Sequence, residues 1–145
     1  PAARATMHMR FVVGTDVSDV PGVVRRHLAE HGFGDVQVGE AVVMHATRLD
    51  PDNPWVTFTL QSLQRTTGRA PVLLPNLGGS LPNDVFADIL GLPTVWVPHS
   101  YPACSQHAPN EHVLAPLMRE GLAMTAALLW EVGEQAATLP RRGAA

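Results

Sequence analysis

Between Leu49 and Pro54 the chain reads Leu-Asp-Pro-Asp-Asn-Pro, and no other segment constrains its folding so strongly. Each proline lacks a backbone N–H and has a fixed φ, so neither helix nor sheet runs through unbroken. The Asp and Asn residues between them favour turns. Apolar residues recur with a different pattern on each side. The segment therefore predicts a boundary, with one arrangement over residues 1–52 and another over 53–137. At 145 residues and 46% hydrophobic, the chain has material for one ordinary core or two small ones.

Before the boundary, Ala3 to Val13 alternates, with Ala5, Met7, Met9 and Phe11 against Thr6, His8 and Arg10. Period two predicts a strand with one apolar face. Gly14 breaks it. Ser18 or Asp16 can cap a following helix that has Pro21 in its first turn, turns Val20, Val23, Val24 and Leu28 inward, and stops at Gly32. Val36 to Met44 alternates again. Strand, helix and strand predict a small α+β unit with the helix on one face of an antiparallel or mixed sheet.

After the boundary, Trp55 to Thr67 is helical, with Val56, Leu60 and Leu63 on one face and Gly68 as its stop. Val72-Leu73-Leu74 and Thr94-Val95-Trp96-Val97 are continuous apolar runs. A short helix is expected over Asn83–Leu90, closed by Gly91, and a long apolar helix over Ala115–Val132, with Pro116 at its start. Buried runs alternating with helices predict an α/β arrangement with parallel strands. Residues 138–145 read as a frayed tail.

The net charge of −3 leaves no basic stripe for nucleic acid; all ten basic residues are arginine, and they are scattered. No apolar run approaches the ~20 residues of a membrane span. A single cysteine, Cys104, excludes an internal disulfide and favours a reducing, cytoplasmic setting. Pro1 already lies inside a strand-like pattern, so the chain is expected to be the C-terminal part of a longer protein.

Two loops carry the chemistry, each just past an apolar run, where open α/β sheets place their ligands. In Gly78-Gly79-Ser80-Leu81-Pro82 the glycines let backbone N–H groups approach a ligand, and Ser80 can cap a helix that Pro82 begins. An ordinary capped turn would read the same way. The G-x-x-x-x-G-K spacing of a phosphate loop is absent. In Ser105-Gln106-His107-Ala108-Pro109-Asn110-Glu111 an imidazole sits in a polar loop with a carboxylate four residues on. A plain surface histidine is the alternative. His99, Cys104 and His107 would make a small zinc set only if rigid elements held all three. His27-Leu28-Ala29-Glu30-His31 matches the H-x-x-E-H pattern of one zinc protease class. It occupies the last turn of its helix, where histidines interact favourably with the helix end and need no metal. Arg10 alone is a solvated strand arginine.

Taken in order, Met9-Arg10-Phe11-Val12, the Asp-Pro boundary, Gly78-Gly79-Ser80-Leu81-Pro82 and His107-Ala108-Pro109-Asn110-Glu111 resemble a known family. The chain looks like the C-terminal portion of the co-catalytic zinc amidohydrolases and peptidases. These include acetylornithine deacetylase, succinyl-diaminopimelate desuccinylase, aminoacylase, carboxypeptidase G and the carnosine-type dipeptidases. The resemblance implies a fragment of a two-domain hydrolase. Residues 1–52 would be the second half of a lid that makes the homodimer, and 53–137 the C-terminal part of the catalytic domain. His107 would fall on a zinc-ligating histidine, and Glu111 would orient it. Gly79 and Ser80 would hold the carboxylate end or scissile region of the substrate, and Arg10 would clamp its carboxylate.

The same resemblance implies two zinc ions that activate a water, with the general base and the other ligands in an N-terminal half. The substrates would be N-acyl amino acids or small peptides with a free carboxylate. The 145 residues alone are then expected to be inactive. Asn76-Leu77 departs from the charged residues of some members, which leaves the side-chain preference open. Two other readings stand beside this one: a non-catalytic dimerisation or interaction module, and a single-zinc protein built on His99, Cys104 and His107.

Overall fold

Asp19, rather than Ser18 or Asp16, opens the first helix. The computed structural model describes residues 2–140, and α1 spans Val20–Glu30. The Asp19 carboxylate accepts from the Gly22 N–H at 2.9 Å, satisfying one of the donors a helix start leaves unpaired. Asp16 instead accepts from the Ser18 N–H at 3.0 Å, which lowers its pKa from the ordinary 3.8. At the other end Gly32 takes a left-handed φ of 84°. Phe33 N–H then bonds to the Leu28 carbonyl, and Gly32 N–H to that of Ala29, closing the helix as a Schellman motif.

The prolines and glycines of the second half act as punctuation in the same way. Helix α2 spans Pro54–Thr67; the Asn53 side chain accepts from the Trp55 N–H at 3.0 Å, and Gly68 closes it at φ 70°. Helix α3 spans Ala115–Gln135, running three residues past Val132, with Pro116 in its first turn. Beyond it the Thr138 N–H bonds back to Gln135. Of the tail expected at 138–145, residues 141–145 lie outside the described residues.

The expected α/β fold is overturned. Among the described residues there is no strand and no sheet, neither in the predicted α+β part nor as parallel strands after the boundary. Ala3–Val13, Val36–Met44, Val72–Leu74 and Thr94–Val97 form no ladder. Alternation is a local property, whereas a strand exists only where a second backbone satisfies its N–H and C=O groups. Their side chains show the consequence: Val42 is 99% exposed and Val72 82%. The helix expected over Asn83–Leu90 is present over residues 83–89, with Val85–Ile89 wound as a π-helical turn whose Leu90 N–H bonds to the Val85 carbonyl. This helix starts directly after Pro82, and Asp84 rather than Ser80 accepts from the Val85 N–H.

The chain divides into two compact units. The first comprises Pro1–Arg48 and Leu77–Leu90, the second Leu49–Asn76 and Gly91–Ala145. Three hydrogen bonds tie Leu77–Leu90 into the first unit: Arg10 to Ser80, Asn83 to Thr47, and the His45 N–H to Asp84. In the second unit α2 packs on α3. Its core is Val56, Phe58 and Leu63 with Cys104, and Trp55 meets Phe58 edge-on at 5.9 Å. Arg65 forms a bidentate pair with Glu131, and Arg69 pairs with Glu120. The Ser62 hydroxyl is fully buried and makes no hydrogen bond of ordinary length among the described residues. It still favours the Glu131 carboxylate, whose pKa is lowered first by the Arg65 hydrogen bonds.

Candidate functional site

In the first unit the structure brings together two of the substrate-binding candidates. Arg10 Nη1 donates to Ser80 Oγ at 2.6 Å, joining residues 70 positions apart. Both are exposed. Because the Ser80 oxygen accepts from the guanidinium, its own proton is left to donate elsewhere. Arg10 keeps further N–H donors in a planar fork suited to a carboxylate. The pair thus offers positive charge and converging donors to one anion. Gly79 contributes differently than expected, since its N–H is taken by the Leu77 carbonyl at 3.0 Å. Gly78 has open space where a side chain would stand.

His107 and Glu111 belong to the second unit, in a loop closed by the His112 N–H bonding to the Cys104 carbonyl at 3.0 Å. A 3₁₀ turn, Pro102–Cys104, leads into it. Three non-glycine residues of this loop hold left-handed backbone: Ser105 at φ 57°, His107 at 64° and Asn110 at 63°. Asn tolerates that conformation through local hydrogen bonding; serine and histidine adopt it at a cost. Two turns accommodate them, with the Ala108 N–H on the Ser105 carbonyl and the Glu111 N–H on that of Ala108.

Beside the loop lies a cavity of about 250 Å³ lined by His99, Tyr101, Cys104, Gln106, Glu111 and His112, among others. Glu111 thus faces the cavity, while His107 is exposed outside its lining. Sequence reasoning missed Tyr101 and His112, and they are the most tightly specified groups here. His112 Nδ1 lies 2.9 Å from the Asn110 carbonyl, which can only accept, so that nitrogen carries the proton. In the neutral ring Nε2 then accepts from the Tyr101 hydroxyl at 2.7 Å. The one available signal was that the chain's single tyrosine stands eleven residues before a histidine that ends the loop. His99 is fixed from the other side: its ring lies so close over Gly121 of α3 that a Cβ there would come within 2.9 Å of Nδ1.

Among the described residues no three His, Cys, Asp or Glu side chains gather closely enough to hold a metal ion. His99, Cys104 and His107 are thus not gathered as a ligand set. At the end of α1, His31 Nδ1 donates to the His27 carbonyl at 2.8 Å, so His31 serves the helix terminus. No helix of the described residues is long and apolar enough to cross a membrane. Neither a family model, nor a curated protein, nor a solved structure matches the chain.

Proposed function

We propose that Arg10 and Ser80 anchor the free carboxylate of an N-acyl amino acid or small peptide, as part of a zinc-dependent amide hydrolase. The observation that carries this is the 2.6 Å hydrogen bond that sets guanidinium and hydroxyl side by side. A carboxylate accepts from both at once, and charge-assisted bonds of this kind are about twice as strong as neutral ones.

Amide hydrolysis of this class uses zinc-activated water. In this reading His107 would supply one zinc ligand, oriented by Glu111. The remaining ligands and the general base would lie outside the 145 residues. The reading includes homodimerisation through residues 1–52 and a cytoplasmic location, the latter supported by the buried, unbridged Cys104.

The test compares N-acetyl amino acids with their carboxamides by calorimetric titration of the 145-residue chain. The acids bind saturably, the amides do not, and Arg10→Ala weakens the acids by about tenfold or more. Equal binding of acid and amide would overturn the reading. With excess zinc the same chain releases no acetate.

A further inference from the structure

Helix α3 meets the rest of its unit on one side only. Glu120 and Glu131 face the arginines of the α2 segment, and Gly121 faces His99. On the opposite side Met118, Leu122, Ala126, Leu129 and Gly133 recur at helical spacing, with Trp130 on the flank. Met118 is 53% exposed, Leu122 73%, Leu129 72% and Trp130 73%. Apolar residues clustered on one exposed face mark an interaction surface rather than scattered surface leucines.

Charge decides what covers this face. Its charged residues stand at its two ends, Arg119 near the start and Glu134 near the finish, and nothing ionic interrupts the stripe between them. Neither forms an ion pair among the described residues. Two copies of α3 laid side by side in the same direction would oppose Arg119 to Arg119 and Glu134 to Glu134. Laid antiparallel about Ala126, they set Arg119 of each copy beside Glu134 of the other. Leu122 then lies against Trp130, and the small Ala126 sits at the two-fold axis, where helices approach closest. A surface that complements itself by charge and by shape is the signature of an isologous pair.

We infer that the outer face of α3 is a homodimer interface in which two copies of this chain pair antiparallel about Ala126. The inference is independent of the carboxylate-binding reading and of dimerisation through residues 1–52. It requires no change in the α2–α3 packing, because the residues involved do not contribute to it.

Analytical ultracentrifugation of the full chain, with far-UV circular dichroism as the fold control, tests it. The wild type associates at about 100 µM, to a dimer through this face alone and to larger species where residues 1–52 pair as well. The Leu122→Asp and Leu129→Asp variants, with unchanged helicity, weaken the dimer by about tenfold or more. Arg119→Glu weakens it too, and adding Glu134→Arg to that variant restores it. Ala126→Cys cross-links to itself under mild oxidation, whereas Ala115→Cys does not. A monomer at that concentration, a dimer indifferent to Leu122→Asp, or efficient cross-linking through Ala115→Cys would each overturn the inference.

Discussion

The Arg10 guanidinium donates to the Ser80 hydroxyl at 2.6 Å, bridging the start of the chain to the loop that follows Gly78-Gly79. Because the serine oxygen receives that bond, its own hydrogen and the remaining arginine donors are left for the carboxylate proposed above. Ser80→Ala removes one donor and weakens carboxylate binding by about threefold to tenfold. Arg10→Lys keeps the charge but loses the fork, and weakens it further than Ser80→Ala does. A tenfold rise in ionic strength lowers the affinity of the wild type, since the pair is exposed and screened. Titration of N-acetylglycine followed by chemical shifts of the Ser80 amide measures all three.

Asp19 and Gly22 are coupled by space. A Cβ on Gly22 would stand 1.9 Å from the Asp19 carboxylate, so Gly22→Ala must expel the cap of α1. In the wild type the lost cap, about 1 kcal/mol, cancels or exceeds what alanine contributes as a better helix former. In an Asp19→Ala background there is no cap to expel, and Gly22→Ala stabilises by up to ~1 kcal/mol. Urea denaturation of the four proteins in the cycle yields a coupling of about 1 kcal/mol; a coupling of zero would refute the steric account.

Arg65 and Glu131 make part of the second unit's stability depend on acid. The Arg65 hydrogen bonds lower the Glu131 pKa from its ordinary 4.5. A depressed carboxyl pKa contributes stability that is complete above the unfolded value, near 4.5, and drains away as pH falls through the lower folded value. Glu131→Gln is therefore less stable than wild type at neutral pH, and the difference narrows as pH falls below 4.5 toward the depressed folded value. Urea midpoints across that range check the sign.

Tyr101 and His112 predict a tautomer. With Nδ1–H held by the Asn110 carbonyl and Nε2 accepting from the phenol, the neutral ring is the Nδ1–H form, readable in long-range proton–nitrogen spectra. Tyr101→Phe leaves Nε2 without its donor, costs about 1 kcal/mol in thermal stability, and broadens the amide resonances of residues 105–111.

The helices were largely legible because their ends are written locally. Asn53-Pro54 and Gly68 bracket α2, Pro116 begins α3, and Gly32 stops α1. Which carboxylate caps α1 was not legible. Asp16, Ser18 and Asp19 all stand within reach, and the choice of Asp19 depends on Gly22 leaving room for it. The strand expectations failed for a different reason: the alternation of Ala5, Met7, Met9 and Phe11 describes a face, and only a second segment in register turns that face into a sheet. Of the site, the meeting of Arg10 with Ser80 was expected only through a family resemblance; no spacing implied it. The partnership of Tyr101 with His112 depends on how the loop closes on itself, which residue types alone do not encode.

Leu77–Leu90 belongs with residues before Arg48, although Leu49–Asn76 lies between them and belongs elsewhere. No single cut in the polypeptide can therefore release either unit whole. During synthesis the earlier unit must wait for residue 90 to emerge, by which time α2 has already left the ribosome. The corner where Arg10 meets Ser80 is thus assembled late, only after the 69 residues between them have been made.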